Sequence, residues 1–276
     1  SGAPGPKYWQ QRADYDIKVN IDEAENLLTG SETVTYYNNS PDVLTYIWLQ
    51  IDENFHNPGS NNNYDRGGKM SPRITSGQLE QMDVAKHLEG YGVNIQTVTD
   101  AAGKAIPFTI NQTMMRIDLP VSLKAGQKFV FNINWNYKIP DKATRGGRGG
   151  YEVFAEDGNN LYSISQWFPR LAVYSDFTGW QHLQFTGGSE FALTFGNYKV
   201  AITVPADHIV ASTGVLQNGK SILSAAQQQR WAQAQTAKEP VEIVTLAEAI
   251  EAYKKKSTAK KTWIFEAENV RDFAFN

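Results

Sequence analysis

The sequence predicts a mainly β protein with antiparallel sheets and a small helical insertion near residues 224–256. Three observations support this fold class. Apolar and polar residues alternate through much of the first two thirds of the chain, which is typical of strands with one buried face. Clusters of Gly, Asn, Ser and Pro separate these alternating stretches and indicate turns and loops. Strong helix formers are concentrated near the C-terminal end.

Six stretches are predicted as strands. In chain order they are YDIKVNID (15–22), LLTGSETVTYYNNS (27–40), LTYIWLQID (44–52), FVFNINWNYKIP (129–140), NYKVAITVP (197–205) and KTWIFEAENVRDFAF (261–275). The fourth has the clearest pattern, because large apolar residues occupy every second position and Asn occupies most of the others. Its Trp135 and Tyr137 fall on the apolar face and are expected in the core. Thr29-Gly30, inside the second stretch, is expected to form a bulge or turn.

Two helices are predicted inside the insertion. Residues 225–235, AAQQQRWAQAQ, are rich in helix formers. In residues 245–256, TLAEAIEAYKKK, Thr245 and Glu248 have the spacing of a capping box at a helix start. The basic run that ends this segment is interpreted as a solvated helix end, where the helix dipole favours cations. An apolar stripe is expected on this helix at Leu246, Ala249, Ile250 and Tyr253.

Length and composition limit the possible functions. The 276 residues are enough for one large domain, and we expect a single domain over 1–276 with an arm at 1–12 and a Gly-rich loop at 143–150. A net charge of −3 provides no basic surface for nucleic acid. No run of 18 apolar residues occurs, so no membrane span is expected. The absence of Cys excludes disulfides, thiolate zinc ligands and Cys nucleophiles.

The Gly-rich loop is interpreted as a connector. A phosphate-binding loop is the alternative, but no Gly-Lys-Ser/Thr follows the glycines. Glu266 and Glu268 lie two residues apart on a predicted strand, so their side chains share one face. This face is interpreted as solvated. A glycosidase would need two carboxylates from different elements at a defined separation. Glu190 is the residue that such an alternative would use.

The histidines do not predict a metal site. His56, His87, His182 and His208 lie in separate segments without a His-Glu-x-x-His motif, whereas a zinc site needs three or four converging ligands. An oxygen-rich calcium site is the remaining alternative. Its candidate ligands are Asp52, Glu53, Asn54, Asn57 and residues 61–63. We therefore expect no metal ligands and no catalytic residues in this chain.

The stretch SISQWFPRLAVYSDFTGW, residues 163–180, contains the strongest candidate for a binding residue. Gln166 is a neutral amide followed by Trp167 and Phe168, and facing a cleft it would hydrogen-bond an amine or a carbonyl. The aromatic side chains beside it would line an apolar pocket. The alternative is an interior turn, in which Arg170 pairs with Asp176 and Trp180 packs.

The run ADYDIKVNIDEAENLLTGSETVTYYNNSPDVLTYIWLQID opens the strand-rich part of the chain. Eight short motifs also occur in order between Tyr8 and Phe275: YWQQRADY, TGSETVTYYNNSPD, QWFPRLAVY, GW, SEF, YKVAITVP, STGVLQN and AENVRDFAF. As an ordered set they resemble the N-terminal part of a bacterial branch of the gluzincin zinc aminopeptidases, the family of aminopeptidase N and leukotriene hydrolase. The resemblance implies an all-β saddle domain that precedes a thermolysin-like zinc catalytic domain.

The resemblance also implies a function. The family's Gly-x-Met-Glu-Asn and His-Glu-x-x-His motifs are not in this sequence, so the zinc and the catalysis are expected in a following catalytic domain. This chain would then form part of the substrate cleft, with its own catalytic domain and the N-terminus of a peptide as partners, and would be inactive alone. A periplasmic or extracellular location is expected from the resemblance, with the cytoplasm left open. The alternative is a stand-alone module that binds peptides or glycans.

One functional position carries over by resemblance. In the family, a Gln in a Thr/Ser-Gln-aromatic stretch of the β domain helps to bind the N-terminal end of the substrate, and Ser165-Gln166-Trp167 matches that stretch. Trp167 and Phe168 are then expected beside the first side-chain pocket. The family's Asp-Glu-Pro turn is replaced here by YSDFTGW. The substrate-binding assignment therefore depends on Gln166, Trp167 and Phe168.

Overall fold

Strands dominate the computed structural model, which describes residues 4–61, 72–77, 79–80, 90–145, 147–156, 158–187 and 192–276. The described strands are β1 (Arg12–Asp22), β2 (Leu27–Tyr37), β3 (Leu44–Gln50), β4 (Asn94–Asp100), β5 (Phe108–Asn111), β6 (Met114–Leu123), β7 (Lys128–Lys138), β8 (Gly150–Phe154), β9 (Asn159–Ser163), β10 (Arg170–Leu171), β11 (Tyr174–Ser175), β12 (Gly179–Trp180), β13 (Gly196–Pro205), β14 (Val215–Leu216) and β15 (Lys260–Val270). The mainly β class and all six predicted strands are confirmed.

The helices that can be bounded within the described residues are few and short. A 3-10 turn at Asp52–His56 follows β3, and the helices are α1 (Lys142–Arg145), α2 (Gly219–Ile222), α3 (Ala225–Ala234) and α4 (Leu246–Tyr253). Helices α3 and α4 lie inside the predicted insertion. Both begin with a capping box, the expected one at Thr245 and a second at Ser224. No helix in the described ranges is long and apolar enough to cross a membrane.

Two sheets organise the fold. One has seven strands in the order β14-β15-β13-β1-β2-β7-β4, and the other has four in the order β10-β3-β6-β5. Their neighbours are antiparallel except β1 and β13, which run parallel and which the sequence did not distinguish from the rest. The core cluster contains residues of both sheets, such as Ile17 of β1 and Ile47 of β3, both with no exposed surface. Strand β10 lies at one edge of the four-stranded sheet, beside β3.

Gly30 is a correction to the predicted bulge or turn. Strand β2 runs through this position without interruption, and Gly30 pairs with Val19 on one side and Trp135 on the other. A Cβ on Gly30 would lie only 2.3 Å from Cζ2 of the Trp135 ring. The glycine therefore makes room for the buried indole in a regular strand. Trp135 and Tyr137 are in the core, as expected.

The apolar stripe of α4 is a second correction. Leu246 and Ile250 are 71% and 42% exposed, so these two side chains do not pack into the core. The helix is attached by polar contacts instead: Arg230 of α3 pairs with Glu248 at 2.5 Å and donates to the Ile243 carbonyl oxygen at 2.9 Å. The periodicity identified the helix correctly but not the face that attaches it.

Candidate functional site

The site is built on the chain between β9 and β10. Ile164 exchanges two backbone hydrogen bonds with Phe275, at 2.8 and 3.0 Å, and so fixes one end of this segment. At the other end, Arg170 and Leu171 pair with Gln50 and Leu49 of β3. The Leu171 N–H also donates to the Tyr15 hydroxyl oxygen at 2.9 Å. The residues between these anchors have little freedom to move.

Gln166 has an unusual backbone conformation within this segment. Its φ is +59°, in the left-handed region that non-glycine residues avoid at a cost of roughly 1–2 kcal/mol. Its side chain is half-buried, unlike those of the residues that follow it. A rare backbone conformation persists only where the surroundings enforce it, and such residues cluster at functional sites. The structure thus presents this amide at a fixed position on the rim of the core.

Trp167 and Phe168 lie behind Gln166 and not beside it. Their side chains are 0% and 1% exposed, and both belong to the core cluster. The Trp167 indole N–H donates to the Phe273 carbonyl oxygen at 2.8 Å, and the Trp167 carbonyl oxygen accepts from the Trp135 indole at 3.3 Å. Facing inward, the two rings anchor the backbone that carries Gln166. A direct contact with substrate, as the resemblance implies, would require these rings to leave the core.

Arg170 has partners that correct the predicted ion pair with Asp176. The guanidinium is 3% exposed and forms a direct ion pair with Asp52, which is 2% exposed. Its other terminal nitrogen, Nη1, lies 2.5 Å from Oδ2 of Asp272. Asp176 lies on an exposed turn between β11 and β12. Trp180 packs in the core, as that interpretation also expected.

Asp52 has one engaged oxygen and one free one. Oδ2 pairs with Arg170, whereas Oδ1 is buried without a hydrogen-bond partner in the described part of the chain. Burial raises the pKa of the Asp52 carboxyl, and Arg170 opposes that shift. The Gln166 amide acts to lower this pKa and is the smallest of the contributions.

Glu53 adds a second buried carboxyl. It is 7% exposed, and burial, with a further contribution from the Asp52 charge, raises its pKa to about 8. Most Glu53 side chains are therefore protonated at neutral pH. The Gly-rich loop passes directly over this group, since a Cβ on Gly149 would lie 3.4 Å from Oε1 of Glu53 and 3.2 Å from the Ser165 carbonyl oxygen. The loop therefore approaches both groups closely at this glycine.

The rest of the 3-10 turn also contacts the loop. His56 is 9% exposed, and burial, then the nearby Arg145 charge, lowers its pKa to about 4, so the ring is neutral. Arg145 donates to the His56 carbonyl oxygen at 2.8 Å, and its guanidinium lies 4.9 Å from the centre of the Tyr91 ring. The described part of the predicted connector is thus packed against the turn.

Two of the candidate calcium ligands, Asn54 and Asp52, already have other partners. The Asn54 oxygen accepts from the Val93 N–H at 2.6 Å, and Asp52 is engaged by Arg170. Residues 62–63 lie outside the described residues, as do His87 and Glu190. No group of three or more His, Cys, Asp or Glu side chains in the described ranges is arranged to hold a metal ion. Glu266 and Glu268 are both exposed, as expected for a solvated face.

A separate groove of about 330 Å³ lies beside the hairpin β11–β12. The Trp9 ring stacks on Tyr174 with centroids 5.8 Å apart, and Phe177 at the rim is 80% exposed. Arg271 lies 4.5 Å from the centre of the Phe195 ring on another wall. This groove could not be predicted from the sequence, because the N-terminal arm that supplies Trp9 has no periodic pattern.

Comparison with known proteins gives a limited result. The sequence matches no protein-family model and no curated protein. Among solved structures, an M1 zinc metallopeptidase from Deinococcus radiodurans is similar, with 13% identity, a TM-score of 0.45, and coverage of 97% of this chain and 42% of that one. A variant of a two-domain M1 zinc metallopeptidase bound to L-tryptophan has 13% identity, a TM-score of 0.46, and coverage of 97% and 43%. The chain therefore spans less than half the length of these structures.

Proposed function

We propose that this chain is the N-terminal, cleft-forming part of a zinc-dependent aminopeptidase that removes N-terminal residues from peptides. The carrying observation is Gln166, a half-buried amide held at φ +59° in the Ser-Gln-aromatic stretch that resembles the family's substrate-binding position. The partners in this proposal are a catalytic domain that follows the chain and the free N-terminus of a peptide. From the resemblance alone, we also propose a periplasmic or extracellular location.

The charges around Gln166 suit an amine. Asp52 and Asp272 both face Arg170, so two carboxylates share one guanidinium. Burial by itself lowers the pKa of Arg170, but the charges of Asp52 and Asp272 raise it overall, so the guanidinium stays charged. With both carboxylates ionised, the two charges of Asp52 and Asp272 exceed the single charge of Arg170. A primary ammonium group that donates to the Gln166 oxygen would be favoured there over a carboxylate.

The zinc of the proposed enzyme belongs to the catalytic domain. Bound there, it would polarise the scissile carbonyl and activate a water molecule. Gln166 would hold the amine end of the peptide, and the surrounding β structure would restrict entry to chain ends. Trp167 and Phe168 would contribute by holding the backbone of Gln166 from the core side.

Gln166→Ala in the full-length protein is expected to lower kcat/KM for aminoacyl substrates, because the substrate amine would lose its acceptor. The corresponding loss of transition-state stabilisation is about 1–3 kcal/mol. Steady-state kinetics with an aminoacyl reporter substrate measures this. Gln217→Ala is the matched control, since Gln217 is an exposed amide beyond β14 and should leave the kinetics unchanged. Equal kinetics for wild type and Gln166→Ala would remove Gln166 from the site.

The aromatic groove favours a second candidate, a module that binds peptides or glycans. Stacked and exposed rings such as Trp9, Tyr174 and Phe177 offer flat apolar faces to such ligands. Titration of the isolated chain with short peptides and oligosaccharides, repeated with Trp9→Ala, distinguishes the two functions. Binding that depends on Trp9 supports the module. A reading frame that continues through His-Glu-x-x-His, and no stoichiometric zinc in the isolated chain, support the aminopeptidase.

A further inference from the structure

We infer that Trp135 is a positioning residue for Gln166: its indole N–H holds the Trp167 carbonyl oxygen and so helps to keep Gln166 in the left-handed conformation. The Trp135 side chain has no exposed surface, so it acts through the backbone and does not reach a ligand. The role of Gln166 in this inference rests on the proposed function. The hydrogen bonds that fix its backbone do not depend on that function.

The backbone before Gln166 is fixed by its pairing with Phe275. The Ile164 N–H donates to the Phe275 carbonyl oxygen at 2.8 Å, and the Phe275 N–H donates to the Ile164 carbonyl oxygen at 3.0 Å. These two bonds hold the peptide groups on both sides of Ile164. Ser165 alone separates this anchor from Gln166.

The backbone after Gln166 is fixed through two groups of Trp167. The Trp167 indole N–H donates to the Phe273 carbonyl oxygen at 2.8 Å, which anchors the side chain. The Trp167 carbonyl oxygen accepts from the Trp135 indole N–H at 3.3 Å, which anchors the peptide group that follows. Without the second bond, Trp167 could turn about its anchored side chain and move the peptide group that it shares with Gln166. Trp135 therefore secures the second anchor.

Gln166 lies in a bend between these two anchors, with a φ of +59°. Two residues, Ser165 and Gln166, connect Ile164 with Trp167, and each has two soft backbone dihedrals. A residue with a Cβ adopts the left-handed conformation only where its surroundings enforce it. The two fixed ends enforce it here, because so short a link has few ways to join them. Releasing one end should let Gln166 return to an ordinary backbone conformation.

The Trp135 ring is itself held in place. It lies on β7 within the core, and Gly30 of the neighbouring strand leaves the space that it fills, since a Cβ on Gly30 would overlap the ring. The centroids of the Trp135 and Trp167 rings are 6.3 Å apart. An indole has a single N–H donor, and that of Trp135 is used on the Trp167 carbonyl. The seven-stranded sheet is thus connected to Gln166 through this one bond.

Two substitutions at position 166 report whether the left-handed conformation is enforced. Glycine adopts this conformation without strain, whereas alanine does not. Gln166→Gly should therefore have an equilibrium constant for unfolding about fivefold smaller than that of Gln166→Ala. In a Trp135→Phe background the difference should fall below about twofold or reverse, because alanine is favoured where both residues fit. Urea denaturation of the 276-residue chain measures these constants.

Trp263→Phe is the matched control. Trp263 is 4% exposed, but its indole N–H has no partner in the described part of the chain. The control therefore removes the same volume from the core without removing a hydrogen bond, and the fivefold difference between Gln166→Gly and Gln166→Ala should remain. Loss of the difference in Trp263→Phe would show a general response to core damage and would overturn the inference.

Two other results would also overturn the inference: a fivefold difference that persists in Trp135→Phe, and no difference in the otherwise unchanged chain. If Trp135→Phe does not fold, a Trp135 analogue with sulfur in place of the indole N–H keeps the ring shape and removes the donor. Loss of the difference with this analogue supports the role of Trp135, and its persistence contradicts it.

Kinetics of the full-length protein test the consequence for the ligand. Trp135→Phe should lower kcat/KM about fivefold in the wild-type background but less than about twofold in a Gln166→Ala background, because the two residues act as one unit. Equal losses in both backgrounds would mean that Trp135 has only a structural role, and would overturn the inference while leaving the proposed function intact. No effect of Gln166→Ala alone would overturn the proposed function, whereas the unfolding constants would still decide whether Trp135 holds the backbone.

Discussion

Replacing Arg170 by Met is expected to lower the free energy of unfolding by about 3–5 kcal/mol, since it leaves buried carboxylates without their cation. Asp52 is 2% exposed and would lose Arg170, the partner of its Oδ2. Asp272, whose side chain is 37% exposed, would regain some solvation from water. The loss should therefore be dominated by Asp52. Urea denaturation followed by Trp fluorescence measures it.

Arg116→Met is the matched control for this prediction. Arg116 also pairs with an Asp, Asp118, at 2.7 Å, but the two side chains are 42% and 53% exposed. An exposed pair of this kind should contribute less than about 1 kcal/mol. Similar losses for the two variants would contradict the view that Arg170 neutralises a buried cluster.

Glu32→Gln is expected to stabilise the protein at pH 8 by about 2–3 kcal/mol and to have little effect at pH 4. Glu32 lies on the core face of β2, where it is 2% exposed and neither carboxyl oxygen has a partner in the described residues. Burial raises the pKa of Glu32 well above its ordinary value. Gln has nearly the same shape and does not titrate, so it removes the charge without opening a cavity.

The sign of the pH dependence follows from the raised pKa. Below the unfolded-state pKa of about 4.3, Glu32 is protonated in both states and resembles Gln. As the pH rises towards the folded-state pKa, the unfolded chain ionises more readily than the folded one, and stability is lost. Melting temperatures of wild type, Glu32→Gln and the exposed control Glu268→Gln at pH 4, 6 and 8 test this. A difference that does not grow with pH would show that Glu32 is not buried as described.

Much of the sheet could be predicted from local sequence because the alternation of residues reports one buried face directly. The stretch around Trp135 is the best example, since its pattern matches the buried and exposed positions of β7. The role of Gly30 could not be predicted in this way. A glycine inside a strand signals either a bulge or a close neighbour, and the neighbour is an indole on a strand more than a hundred positions along the chain.

The candidate site could be predicted only in part, for a similar reason. Gln166 was identifiable from its stretch, but the partners of Arg170 lie 118 and 102 positions away, at Asp52 and Asp272. Asp176 was the nearer choice in sequence and the wrong one. A signal did exist: two carboxylates directly follow the apolar strand β3, where buried charge needs a partner. Local pattern alone does not say which cation supplies it.

The position of the substrate amine tests the central claim most directly. A crystal structure of the full-length protein with a non-hydrolysable peptide that has a free N-terminus would show it. We expect the amine nitrogen within about 3.2 Å of the Gln166 side-chain oxygen. An amine bound elsewhere, with Gln166 covered by another part of the protein, would contradict the proposed function.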